Sequence, residues 1–290
     1  VTLQAKKSEY LSALHAAVSN EAASIAASSG THQKKAQAMN SVIADAAEPL
    51  RAGAQALPEG AQRQSALITL QYCISVISLE YRHSVWPYEY MAFSRRIGEL
   101  WERFCSACWD HPARENVNRI VEPQFNEIAG KIRERILENS NGAAGRDQIA
   151  TDTENLLKLI GEINMKEDEV FEVDGIPHVV DFKSGFGSNE KGNMLRLMAV
   201  GRAYKLWNPD TELFLLVRQN NNNNYLNVLR RAGLWKVYCG GEAYAKIDDL
   251  TGSDMASIRD SVVDFDADLS DSFMNDIDAH LSNLKSYLEW

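Results

Sequence analysis

An acid and a lysine, one residue apart, close an apolar run at Val179-Val180-Asp181-Phe182-Lys183. In a β-strand, alternate side chains share a face, so Asp181 and Lys183 point the same way. A carboxylate beside an ammonium at the end of a buried strand can hold a divalent cation and steer a water. That chemistry suits hydrolysis of a phosphodiester.

The elements that must position this pair are legible upstream. Glu169–Val173 and His178–Lys183 are β-type runs flanking Asp174-Gly175, a dipeptide favoured in tight hairpins because both turn residues need positive φ. With that turn Val173 faces Ile176, and stepping outward sets Asp181 opposite Asp168. Like charges directly opposed destabilise a sheet unless a cation lies between them. Two carboxylates completed by waters and phosphate suit Mg²⁺, which can make a bound water more acidic. Lys183 can orient that water or hold the phosphate as a point charge. Glu172 takes the place of Asp168 if the turn falls at Ile176-Pro177. Asp174 reads as a turn former, and His178 as a packed or surface strand residue.

Helices dominate the rest. Residues 3–55 are rich in Ala, Ser and Gln, with breaks expected at Gly30 and Pro49. Further helices are expected over about 59–82, from Pro87 as first helical residue to about 109, and over 122–139 and 147–160. After the hairpin comes a loop at 184–192, a helix over 194–207 and a continuous apolar strand at 213–218. A loop of asparagines at 220–224, a helix over 225–232 and a strand at 235–239 follow. The end of the chain is acidic and helical, with an apolar repeat at Phe273, Ile277, Leu281, Leu284 and Leu288. This order predicts an α/β (α+β) fold, a small mixed sheet flanked by helices. The expected division is a helical N-terminal region over 1–86, a core over 87–250 and an acidic helical segment over 251–290.

Lys166-Glu167-Asp168, Glu169-Val170-Phe171 and Asp181-Phe182-Lys183 together resemble the PD-(D/E)XK nuclease signature, in which the first acid precedes the D/E-x-K by roughly ten to twenty residues. Here the interval is 13. Glu167 stands where that family often has proline. The resemblance covers about half the chain. It implies a restriction-endonuclease-like topology of helix, antiparallel three-stranded meander, helix and further strands. Gly98-Glu99-Leu100-Trp101-Glu102 resembles the family's Gly-x-x-apolar-Glu pattern, with Glu102 the better match and Glu99 second. The resemblance therefore implies Asp168, Asp181 and Glu102 as metal ligands, with Lys183 completing the catalytic set. It also implies a Mg²⁺-dependent, sequence-specific endonuclease of the type II restriction kind, which leaves 5′-phosphate and 3′-hydroxyl ends. Repair, recombination or mobile-element work on the same core, and a non-catalytic helical interaction protein, are the alternatives.

Charge supports a nucleic-acid partner only locally. The net charge of the 290 residues is −10. Lys183 to Lys236 nevertheless carries nine bases against three acids, whereas Glu242 to the end carries twelve acids against three bases. Ser184, Ser188, Asn189, Lys191, Asn193, Arg196 and Arg202 are the candidates to contact double-stranded DNA, through phosphates or base edges. Two-fold symmetric duplex targets favour a homodimer. No apolar run reaches the ~18–20 residues of a membrane span, and Val1 to Ser8 lacks a signal-peptide layout, so the expected location is cytoplasmic. Cys73, Cys105, Cys108 and Cys239 read as buried reduced thiols.

Overall fold

The computed structural model describes residues 2–185, 191–220 and 224–290. The chain divides into two compact units: Val1–Glu115 with Gly241–Trp290, and Asn116–Gly240.

The first unit is helical. It comprises α1 (Leu3–Ala27), α2 (His32–Gln55), α3 (Ala61–Val85) and α4 (Tyr90–Asp110), with the α9–α12 segment from Gly241 to His280 and a closing 3₁₀ turn at Ser282–Leu288. Thr2 and Thr31 start the first two helices, their hydroxyls accepting the N–H of Ala5 and Lys34. Helix α3 buries residues all round its circumference, including Leu67, Ile68, Leu70, Tyr72, Val76 and Leu79, as a helix at the centre of a bundle does. Helix α4 buries the expected stripe of Phe93, Ile97, Leu100, Trp101, Phe104 and Cys108. All four cysteines are buried with free thiols.

An expected break and an expected helix start, both at prolines, differ. Pro49 lies inside α2. The ring removes one N–H, but Met39, Ile43, Ala47 and Ala54 bury the same face on both sides of it and carry the helix through. Pro87 does not open α4, which begins at Tyr90 after Glu89. Helix α4 falls within the expected core over 87–250 but belongs to the helical unit.

The second unit holds a five-stranded mixed sheet in the order β1-β2-β3-β4-β5. Its elements are β1 (Val117–Arg119), α5 (Phe125–Asn139), α6 (Arg146–Ile160), β2 (Glu169–Val173) and β3 (Ile176–Lys183). They continue with α7 (Lys191–Trp207), β4 (Glu212–Val217), α8 (Asn224–Ala232) and β5 (Lys236–Cys239). Strand β1 was not expected; three residues are too few to show a period. Strands β1 to β3 are antiparallel neighbours, and β4 and β5 continue the sheet in parallel. The β2–β3 hairpin turns on Asp174 (φ 53°) and Gly175 (φ 79°), with Val173 paired to Ile176 and Glu169 to Val180.

One sheet face packs against α7. Val179, Leu213, Leu215 and Val217 form a core with Leu197, Val200 and Tyr204 of that helix. Gly201 lets the helix approach closely, since a Cβ there would meet the Trp235 indole nitrogen at 2.6 Å. That indole N–H donates to the Leu197 carbonyl (2.8 Å). On the opposite face Phe171, His178 and Phe214 stack in a row across three strands, at 5.3 and 5.8 Å between ring centroids. Among the described residues, no helix is long and apolar enough to cross a membrane.

Candidate active site

The hairpin delivers Asp181 and Lys183 to the α7 side of the sheet, in step with the core residue Val179. Alternation therefore places a carboxylate at a position that the rest of the strand fills with hydrocarbon. A buried carboxylate needs partners, and three neighbouring segments supply them. The Lys183 ammonium pairs with Asp181 Oδ1 and also donates to the Phe182 carbonyl at 2.9 Å. From the second turn of α7, Arg196 Nη2 donates to Asp181 Oδ2 at 2.5 Å. The same guanidinium grips Glu167 through both carboxylate oxygens, at 2.5 and 3.3 Å.

Glu167 reaches the site from the segment before β2, which is pinned to α7 where the Tyr204 hydroxyl donates to the Met165 carbonyl (2.7 Å). Asp168 is the next residue. Beyond the Glu169–Val180 pair its carboxylate continues the ladder by accepting the Phe182 N–H at 2.6 Å. Its charge also acts on Lys183. Glu169, by contrast, is held by both nitrogens of a fork from Arg119, each at 2.8 Å.

Exposure is uneven across this cluster. The side chains of Glu167 and Asp181 are 0% and 2% exposed, whereas Arg196 is 36% exposed and Lys183 19%. The acids are sealed and the bases reach water. Burial, with Asp181 alongside, pushes Glu167 up to about 9, against the pull of Arg196. Burial alone would raise Asp181 too. Lys183, a hydrogen bond from Glu167 and Arg196 outweigh it and hold Asp181 below the usual carboxylate range. Burial would lower Lys183, but Asp181 and then Asp168 outweigh it and raise the ammonium. Burial thus disfavours the charge on Glu167, while the cations beside Asp181 keep that acid ionised.

Four of the sequence-derived candidates, Asp168, Asp181, Lys183 and Arg196, meet here. Arg196 turns inward to the acids, whereas Arg202 is exposed further along α7. Ser184 accepts from Arg218 Nε (3.1 Å). Lys191 is exposed at the start of α7, and Asn193 is half-buried in its first turn. Ser188 and Asn189 lie outside the described residues, as do 221–223 of the asparagine run. Because the turn falls on Asp174-Gly175, Glu172 sits opposite Pro177 near the closed end of the hairpin. Glu102 is half-buried on α4 in the helical unit, and Glu99 on that helix pairs with Arg95 and Arg96.

Glu167 is the residue that sequence reasoning passed over. It lies in an acid-rich run, Glu167-Asp168-Glu169, and only the strand register tells which of its carboxylates turns toward Asp181.

Among the described residues, no group of three or more His, Cys, Asp and Glu side chains is arranged to hold a metal. Two sealed carboxylates are nonetheless a hard-oxygen pair, and Mg²⁺ takes one or two carboxylates, with waters and phosphate filling its remaining positions. The donor chemistry fits that ion. Comparison of the chain with protein-family models, curated proteins and solved structures found no match.

Proposed function

We propose that this protein is a Mg²⁺-dependent endonuclease that cuts double-stranded DNA, in the manner of a type II restriction enzyme. The observation that carries the reading is the sealed Asp181 carboxylate with Lys183 beside it on one sheet face, backed by a second sealed acid, Glu167. Such an arrangement costs several kcal/mol of desolvation per ion, and charge buried this way concentrates at functional sites. The β1–β3 antiparallel neighbours, the α7 crossover and parallel β4 also agree with the PD-(D/E)XK order. Helices α5 and α6, lodged between β1 and β2, depart from a simple meander.

When bound, Mg²⁺ would supply positive charge and a more acidic water. Asp181 and Glu167 would provide the oxygens that hold it, with Asp168 alongside on the Phe182 N–H. Lys183, fixed by Asp181 and the Phe182 carbonyl, orients the attacking water in line with the departing 3′ oxygen. The basic residues from Lys183 to Lys236 attract the duplex. A homodimer would give each strand of a two-fold symmetric site its own set of these residues.

Incubation with phage DNA and Mg²⁺, against an EDTA control, tests this directly. Discrete fragments are expected. Nicks confined to branched or damaged DNA would point to repair instead, and intact DNA in both lanes would sink the nuclease reading.

A further inference from the structure

Arg196 stands where a metal would have to go. Among the described residues it is the one cation that touches both Glu167 and Asp181, and its Nη2 is shared between them at 3.3 and 2.5 Å. The other cation, Lys183, is engaged by Asp181 and the Phe182 carbonyl. Asp168 commits one oxygen to the Phe182 N–H. A guanidinium cannot give up its proton to leave an acid. Its departure takes away the cation that pairs with Glu167 and leaves Asp181 with Lys183. Exchange for another cation is the departure that keeps both acids matched, and a metal bound to Glu167 also displaces any proton there. The Arg196 side chain is the most exposed of the four.

We propose that Arg196 is a resident counter-ion for the Glu167–Asp181 pair, exchanged for a divalent hard cation when DNA arrives. The metal's protein ligands are then Glu167 and Asp181. The freed guanidinium takes the backbone phosphate as its new anion, a bidentate partner of the kind Arg prefers. Metal entry and DNA binding are consequently coupled: each is weak until the other supplies what it needs. This rests on the nuclease reading for the identity of the second anion, and on geometry alone for the exchange.

Mn²⁺ binding, followed by calorimetry with and without an uncleavable phosphorothioate duplex, tests it in the full chain. Without DNA, Arg196→Gln should bind Mn²⁺ at least tenfold more tightly than wild type, and Glu167→Gln at least tenfold more weakly. The duplex should tighten Mn²⁺ binding by wild type at least tenfold and leave Arg196→Gln unchanged. Equal Mn²⁺ affinity of wild type and Arg196→Gln would overturn the exchange. Should Arg196→Gln fail to fold, a crystal structure of wild type with Ca²⁺ decides. Arg196 is expected off Glu167, and Arg196 still bridging both acids beside a bound ion would overturn the proposal. Wild type that exchanges Arg196 for Ca²⁺ but cuts no DNA with Mg²⁺ would sink the nuclease reading while leaving the exchange standing.

Discussion

Each unit of this protein buries a group of charges, and the two groups are built on opposite plans. In the helical unit, Lys7 on α1 pairs with Asp268 at 2.8 Å, and the two side chains are 7% and 9% exposed. The Tyr72 hydroxyl donates to the same carboxylate oxygen at 2.7 Å and accepts the Asp264 N–H at 2.9 Å. Burial and Asp268 push the Tyr72 phenol far up, so it stays protonated and keeps donating. One acid faces one base, and all three groups are closed in. In the sheet unit, two sealed acids meet two bases that reach solvent. A balanced, closed pair is a structural fastening. Under the proposed exchange, acids fixed in the core beside bases that reach solvent make a site where charge can be replaced.

The comparison breaks most sharply at Lys183 and Asp181. Lys183→Ala and Asp181→Asn should each lower Mg²⁺-dependent cleavage by about a thousandfold, within the range for a lost proton-transfer or water-orienting group. Circular dichroism should still report a folded chain; wild-type-like cutting by either variant would remove the distinction. The mirror experiment is Asp268→Ala. It strands the Lys7 ammonium and should cost about 3–5 kcal/mol in urea unfolding. Its turnover at low temperature should stay near wild type. A stability loss below about 1 kcal/mol would show that the closed pair is no fastening.

A smaller effect sharpens the positional side. Gly201→Ala forces a Cβ against Trp235 and Leu234, and overpacking of this kind costs about 1–3 kcal/mol. Because α7 also carries Arg196, the same variant should change Mn²⁺ affinity, which a merely local defect would not.

The smallest effect is a pH dependence. The folded pKa of Glu167, about 9, lies above its ordinary value of 4.5, so the folded chain holds a proton that the unfolded chain releases. The stability from this proton is full below about pH 4.5 and declines as pH rises toward 9. Glu167→Gln, which cannot ionise, should therefore gain stability relative to wild type between pH 5 and pH 9. A difference that stays flat with pH would show that Glu167 is ionised throughout.

Much of the sheet unit could be read from residue order, and the reasons are local. Strand β2 and the Asp174-Gly175 turn combine a period of two with a turn residue pair that few other conformations accept, and they fall where expected. Register then brought Asp168 and Asp181 to the same end of the hairpin. The misses have tertiary causes. Pro49 is overridden by the face α2 buries against α3. Arg196 and Arg202 looked alike as basic residues on one helix. Arg196, however, is four and eight residues before Val200 and Tyr204, on the stripe that α7 buries, and that spacing was a usable signal. Glu167 had no such signal, since the segment before β2 has no period.

The pairing of Lys7 with Asp268 spans 261 residues and is enclosed by chain from both ends of the helical unit. At about 5–20 residues per second of synthesis, the ammonium waits through roughly tens of seconds of translation before its carboxylate exists. The whole of Asn116–Gly240 is made in that interval. The nascent bundle therefore spends its early life with an unmatched charge at its future centre. That centre must remain open and hydrated until the segment carrying Asp268 has been made.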